Sequence, residues 1–329
     1  MSGRKVWVHA EVEEGRIVEV VFELLAKARE LADSLGDGAR VECTLVGNNL
    51  AAAADLLGEW GAETVYVADD PALAMYSPLT HVPILTKLAA EHQPDIYLFG
   101  ATSVGASLGP AVAARLKTGM AAHCVDLLID DEKKLKALVP SFGGKVVGEI
   151  FCPERRPQMA SVKPGIFERK PVSAKTAPRV ERIDPSGCLD GGDGLKPVKT
   201  VRQPPHGMPL NEAEVVVCGG LGIGDAEKWR LLEKLAGRLG GAVACTRPAV
   251  DEGWSDESAM IGTSGRSVRP KVYLGFGVSG ATHHICGMHE AGFIVNVNRD
   301  AGASIFNVSD LCVEADAGTI VQAMLEALE

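Results

Sequence analysis

Between residues 219 and 316 the chain strings together residue types suited to holding a large anionic ligand. Gly275-Phe276-Gly277-Val278-Ser279-Gly280-Ala281-Thr282-His283-His284 follows the apolar run Val272-Tyr273-Leu274. Its glycines allow close backbone approach, and Ser279 and Thr282 put hydroxyls where a helix is expected to begin. An anion could dock at that positive helix end. On local features alone, a plain Ser N-cap is an equal reading. Gly219 to Gly224 also joins a strand signal to a helix signal, yet it fits the Gly-x-Gly-x-x-Gly dinucleotide signature only loosely, because any tight strand-to-helix turn can use glycine. Thr246-Arg247-Pro248 directly follows the apolar run 242–245. That puts a permanent cation at the carboxyl end of a sheet, where open α/β sheets bind ligands; a surface ion pair is the plainer reading. Ile261-Gly262-Thr263-Ser264-Gly265 sets two hydroxyls between glycines in an expected loop, and Asn298 and Asp316 each lie just past a strand signal. Together these residues place hydroxyls, an arginine, an imidazole and amide or acidic acceptors on successive strand ends of one sheet, which suits a dinucleotide.

Other chemistries find less support. His283 and His284 are neighbours, so on a helix their rings point about 100° apart and cannot grip one metal as a pair four apart can; His289 registers poorly with either. The eight cysteines include no Cys-x-x-Cys pair, which argues against a zinc or iron–sulfur site. No metal is expected. His123 and Cys124 adjoin without a third partner, so no catalytic residue is assigned. Arg155-Arg156 could meet an acidic partner or form a solvated turn, and Asp130-Asp131-Glu132-Lys133-Lys134 reads as a solvated hairpin tip.

The chain has 329 residues, 46% hydrophobic and 23% charged, enough to bury the cores of two domains. A net charge of -10 without a concentrated Lys/Arg stripe excludes a nucleic-acid partner, which needs several phosphates neutralised at once. No run approaches the roughly 20 apolar residues of a membrane span, and the first residues do not read as a signal peptide, so a cytoplasmic protein is expected.

Apolar residues at helical spacing over 17–35 lie between short β-branched runs at 6–9 and 41–46. Alternation continues with a helix at 50–60, a strand at 64–68, a helix near 82–92, a strand at 95–99 and a helix near 107–116. Such a series implies a parallel sheet covered on both faces. From 117 to 171 come short β-rich pieces, including 136–140, 145–152 and 159–162, expected to complete the first domain. Residues 185–209, rich in Pro, Gly and Asp, read as a linker or surface segment. A strand at 214–218, a helix at 226–239 and strands at 242–245, 272–276, 293–297 and 311–313 predict a second parallel sheet. The expected division is an N-terminal α/β domain over 1–197, a linker over 198–211 and a C-terminal α/β domain over 212–329.

Read in order, Gly219-Gly220-Leu221-Gly222, Thr246-Arg247-Pro248-Ala249-Val250-Asp251, Ile261-Gly262-Thr263-Ser264-Gly265, Gly277-Val278-Ser279-Gly280-Ala281-Thr282-His283-His284, Val297-Asn298-Arg299-Asp300 and Ile305-Phe306 on to Asp316 resemble the FAD-binding domain of electron-transferring flavoprotein alpha subunits. The Arg156-Pro157-Gln158-Met159-Ala160 segment agrees, and Thr118-Gly119 and Phe142-Gly143-Gly144 resemble the branch common in anaerobic prokaryotes. The resemblance implies a Rossmann-like FAD-binding domain. It implies that Arg247 lies against the isoalloxazine, where a fixed cation favours the anionic reduced ring, and that Ser264 offers a hydroxyl near N5. It further implies that His284 donates toward O2, that Ser279, Gly280, Ala281 and Thr282 cradle the pyrophosphate, and that Asn298 and Asp316 hold the adenosine half. Leu221 stands where the family has an arginine, Thr246 replaces a common serine, and Thr263-Ser264 replaces a usual Gln-Thr pair; FAD is expected to be retained. The implied role is electron carriage between a dehydrogenase, such as an acyl-CoA dehydrogenase, and a redox acceptor, as a heterodimer with a smaller beta subunit that the N-terminal domain contacts. Electron bifurcation, an NAD- or FAD-domain enzyme acting on a small molecule, and a flavin-free structural subunit are the alternatives.

Overall fold

The structure, a computed structural model, describes residues 3–13, 15–36, 38–141, 146–171, 177–189, 198, 208–210 and 213–328. Most of the expected linker at 198–211, the element Phe142-Gly143-Gly144 and Lys145 of the expected strand 145–152 lie outside the described residues. The chain forms two compact units, residues 1–200 and 201–329.

In the first unit seven strands make one parallel sheet, in the order Arg179–Arg182, Thr64–Asp69, Arg40–Gly47, Lys5–Ala10, Ile96–Gly100, Gln158–Val162 and Met120–Cys124. Helices Val20–Leu35 and Ala51–Glu59 bury one apolar stripe against it through Leu24, Leu25, Leu31 and Leu57; helices Pro78–His92 and Ser103–Leu116 cover the other face through Leu85, Leu88, Leu108 and Val112. Because both faces are covered, the central strands are apolar nearly throughout instead of alternating. Two helices begin earlier than the apolar spacing predicts. Ser77 caps the third helix and Thr102 the fourth, each side chain accepting a backbone N–H of the first turn, at Leu79 and Gly105. The first helix begins later than predicted, since Arg16–Ile17 pairs with Val12–Glu13 as a two-stranded ladder.

The β-rich stretch divides. Asp126–Ile129, Leu135–Ser141 and Val146–Phe151 form a separate antiparallel sheet, with Val146–Phe151 at its edge. The Asp130 to Lys134 tip is a tight turn in which the Asp130 carboxylate accepts the Lys134 N–H. Arg179–Arg182, an edge strand, and the short helix Ser186–Leu189 carry no readable periodicity in the sequence.

The second unit is a five-stranded parallel sheet in the order Ala242–Cys245, Val215–Gly219, Val272–Phe276, Phe293–Asn298 and Leu311–Glu314. This is a doubly wound sheet of order 2-1-3-4-5, whose switch point lies between Val215–Gly219 and Val272–Phe276. Helices Ala226–Arg238 and Ala317–Ala327 share one face, packing Trp229, Leu232, Leu235, Val321 and Leu325. Loops and short turns close the other face over Val216, Tyr273 and Ile294.

Candidate functional site

At the switch point the turns after Val215–Gly219 and Val272–Phe276 touch through their backbones. Gly220 N–H donates to Phe276 O at 2.9 Å and Gly222 N–H to Gly277 O at 3.0 Å. A Cβ on Gly222 would lie 2.8 Å from Gly277 Cα, and Gly277 itself has φ +66°. Glycine is therefore needed here for chain-on-chain packing, which accounts for Gly220 and Gly222 without any ligand. The following segment is pinned on its other sides. Asn298 Nδ2 donates to Val278 O at 2.9 Å, Ile305 N–H donates to Ser279 O at 3.2 Å, and a Cβ on Gly280, at φ +85°, would run into the Ile305 backbone nitrogen.

Held this way, Ser279, Gly280, Ala281 and Thr282 offer four consecutive backbone N–H groups that no acceptor takes among the described residues. Ser279, Ala281 and Thr282 are exposed. This is an anion-binding nest, and its chemistry fits a pyrophosphate. Of the two readings the sequence left open, the plain Ser279 cap does not hold: the helix runs only over Thr282–Ile285, with Ala281 in the cap position and no side-chain cap bond. So short a helix lends little dipole; the free N–H groups carry the attraction.

The two histidines divide their roles. His284 is buried: its Nδ1 donates to Ile261 O at 3.1 Å, and its Nε2 lies 2.8 Å from the Tyr273 hydroxyl. Burial lowers its pKa to about 4, so the ring is neutral and Nε2 accepts from Tyr273. The neutral ring thus has no N–H left for a ligand in this arrangement. His283 is exposed, with Nδ1 2.9 Å from Thr263 Oγ1 and no partner for Nε2 among the described residues. Thr263 N–H donates to His283 O at 2.9 Å, and a Cβ on Gly262 would lie 2.8 Å from the same oxygen. Ile261 and Gly262 therefore serve as the buried clasp between two loops, while Thr263 and Ser264 face outward.

Thr246 N–H donates to Gly219 O at 3.0 Å, and Thr246 is buried. Arg247 opens the helix Arg247–Asp251, stands exposed beyond the strand end, and donates from Nε to Asp251 Oδ1 at 2.8 Å. At the opposite end of the sheet, Asp316 caps helix Ala317–Ala327 through Thr319 N–H at 3.0 Å and meets Arg299 at 3.1 Å. Asn298 Oδ1 also accepts Asp300 N–H at 3.0 Å. Both residues do structural work and keep spare acceptor lone pairs. The structure sets these residues in the turns that follow the strands of this parallel sheet.

Sequence reasoning missed what lies beneath and beside those turns. Tyr273 is fully buried under His284, and Asn296 donates to Ser309 Oγ at 2.8 Å while its Oδ1 has no partner among the described residues. Polar residues at inward strand positions gave no signal that distinguished them from core. Lys228 and Arg299 flank Asp316, and only the fold brings a first-turn lysine beside a residue 88 positions later (316 minus 228). In the first unit, burial pushes the Cys124 thiol up to about 12, so it is no nucleophile at neutral pH. No group of three His, Cys, Asp or Glu side chains that could hold a metal occurs among the described residues.

Comparison with known proteins bears on the same residues. Residues 6–187 match the family model of the electron transfer flavoprotein domain, and residues 209–289 that of the electron transfer flavoprotein FAD-binding domain. The second match ends short of Asn298 and Asp316. Full-length relatives include the electron transfer flavoprotein subunit alpha of Thermoanaerobacterium thermosaccharolyticum, 34% identical over 99% of this chain and 98% of its own. The protein of the same description from Clostridium acetobutylicum is 37% identical over 97% and 95%. The acryloyl-CoA reductase electron transfer subunit beta of Anaerotignum propionicum is 33% identical over 100% and 96%. With family matches in both units, one of them to an FAD-binding domain, and full-length relatives above 30% identity, the chain belongs to the electron transfer flavoprotein alpha subunits and its cofactor is FAD.

Proposed function

We propose that this chain holds FAD along the carboxyl rim of its second sheet and passes electrons from a dehydrogenase to a downstream acceptor. The observation that carries the reading is the length and polarity of that rim. At about 4.8 Å per strand, its four strand-to-strand steps span roughly 19 Å, with Arg247 at one end, the free N–H groups at 279–282 near the middle, and Asp316 at the other. An extended flavin dinucleotide covers that distance; a mononucleotide does not.

FAD, when bound, accepts and releases electrons one or two at a time. The residues of this chain do the rest. The backbone N–H groups of 279–282 anchor the pyrophosphate. Arg247, fixed by Asp251, brings positive charge to the ring end, and Ser264 and His283 offer outward-facing polar groups beside it. The Asn298–Val278 tie keeps the anchor rigid.

A beta-type subunit is the partner this reading requires. The edge strand Val146–Phe151 leaves Val146, Val147, Ile150 and Phe151 exposed on both of its faces, which suits burial against another protein. Relatives carry names as different as acryloyl-CoA reductase electron transfer subunit beta and FixB, which suggest varied roles within the family; an acyl-CoA dehydrogenase is the donor we favour. A cytoplasmic setting agrees with all eight cysteines being free thiols. The chain co-produced with its beta subunit should be yellow, contain FAD, and be bleached by an acyl-CoA dehydrogenase with its substrate. A colourless complex overturns the cofactor site; a yellow complex that no acyl-CoA dehydrogenase reduces overturns the donor.

A further inference from the structure

The adenosine end of the rim carries a positive charge in an unusual place. Lys228 is the third residue of helix Ala226–Arg238, a position where the helix dipole disfavours a cation. Its stem also crosses the start of a second helix, Ala317–Ala327: a Cβ on Gly318 would lie 2.7 Å from Lys228 Cδ and 3.2 Å from Cε. The ammonium overhangs the rim turn, 3.4 Å from where a Cβ on Gly224 would be, and stands 3.7 Å from Asp225 Oδ2. Arg299 approaches from the other side through its pair with Asp316. Two cations thus meet the amino ends of two helices, of 13 and 11 residues. Asp225 and Asp316 already spend acceptor capacity capping those helices, at Lys228 N–H and Thr319 N–H. The capped Thr319 N–H first, and then Lys228 and Arg299, hold the Asp316 carboxyl below the usual carboxylate range. Each cation is balanced by its aspartate, and the side chains of both Lys228 and Arg299 remain open to solvent. The rim turn itself adds no charge, since its outward residue is Leu221, 52% exposed.

We propose that Lys228, with Arg299 across Asp316, binds the adenylate half of the dinucleotide and supplies there the cation that Leu221 does not. This deepens the FAD reading and rests on it. Lysine suits the task because its ammonium is a flexible point charge that can swing from Asp225 to a phosphate oxygen.

The test uses the full chain co-produced with its beta subunit, with FAD affinity measured by fluorescence titration of the flavin-depleted complex. Lys228→Met should weaken FAD by about fivefold to tenfold, the size of one exposed charge-assisted contact, and flatten the salt dependence of binding. Lys228→Arg should restore most of the affinity, and Leu221→Arg added to Lys228→Met should recover it as well. ADP, which carries only the adenylate half, should displace FAD less effectively from Lys228→Met than its affinity for the unaltered complex predicts. Melting temperature of the flavin-depleted complex should not move, which separates ligand contact from a structural role. Unchanged FAD affinity in Lys228→Met, or a loss that Leu221→Arg does not recover, overturns the proposal while leaving the cofactor site standing. Failure of the unaltered complex to bind FAD overturns the reading beneath it.

Discussion

At the scale of single residues, charge position and proton position set what the rim can do. Arg247 lies exposed at the strand end and is steadied by Asp251 at 2.8 Å. A fixed cation beside the flavin ring favours its negatively charged reduced form, so Arg247→Ala should lower the flavin potential by roughly tens of millivolts, where about 59 mV is tenfold for one electron. A reductive titration with a reference dye measures this; an unmoved potential would take the ring away from Arg247. The residue types at 246–247, 261–264 and 279–284 were legible in the sequence as a polar set on strand ends. The hydrogen bonding of His284 was not, because whether an imidazole faces a ligand or a buried tyrosine depends on a neighbour eleven positions earlier in the chain.

Elements matter through the backbone contacts they force. The turns at 220–222 and 277–280 touch so closely that a Cβ has no room on Gly220, Gly222 or Gly277, and Gly280 adds a left-handed φ of +85°. Gly280→Ala should therefore destabilise the second unit by about 2 kcal/mol or more, combining backbone strain with a forced shift of Ile305. Because that shift moves the 279–282 anchor, FAD affinity should fall with it. Thermal melts and flavin titrations check the two losses; an alanine variant with unaltered melting and colour would mean the loop has room that the geometry denies. From sequence alone, the glycines at 219–224 fitted a phosphate signature only loosely and a tight turn as well, and the packing of one turn on the other accounts for Gly220 and Gly222.

For the molecule as a whole, burial of histidine makes both units sensitive to acid. Burial lowers His9 to about 3, His81 to about 4 and His284 to about 4, from an ordinary 6.5. Between pH 6.5 and 4 the unfolded chain takes up protons that the folded chain refuses, so stability present above pH 6.5 is lost as pH falls toward 4. For His284 the loss is at most roughly 3 kcal/mol. Melting temperature of each unit should drop between pH 7 and 5 and should do so less for the second unit in His284→Gln, after allowing for that variant's lower starting stability. A melting temperature flat across that range would show that the folded histidines titrate normally. Since His9 and His81 lie in the first unit and His284 in the second, acid should weaken both units alike.

Alternating periodicities, cap residues and apolar runs lie along the chain itself, so the sequence determined the class of fold, the two parallel sheets and the polar residue types at the strand ends of the second. Local spacing cannot carry what depends on distant segments meeting. Tertiary structure alone decided the 2-1-3-4-5 strand order, the separation of the 126–151 strands into their own sheet, and the joining of Arg179–Arg182 to an edge. It also set Lys228 beside Asp316 and Tyr273 beneath His284. Each of these follows from which surfaces the sheet brings within a few ångströms, a property of packing that no window of sequence contains.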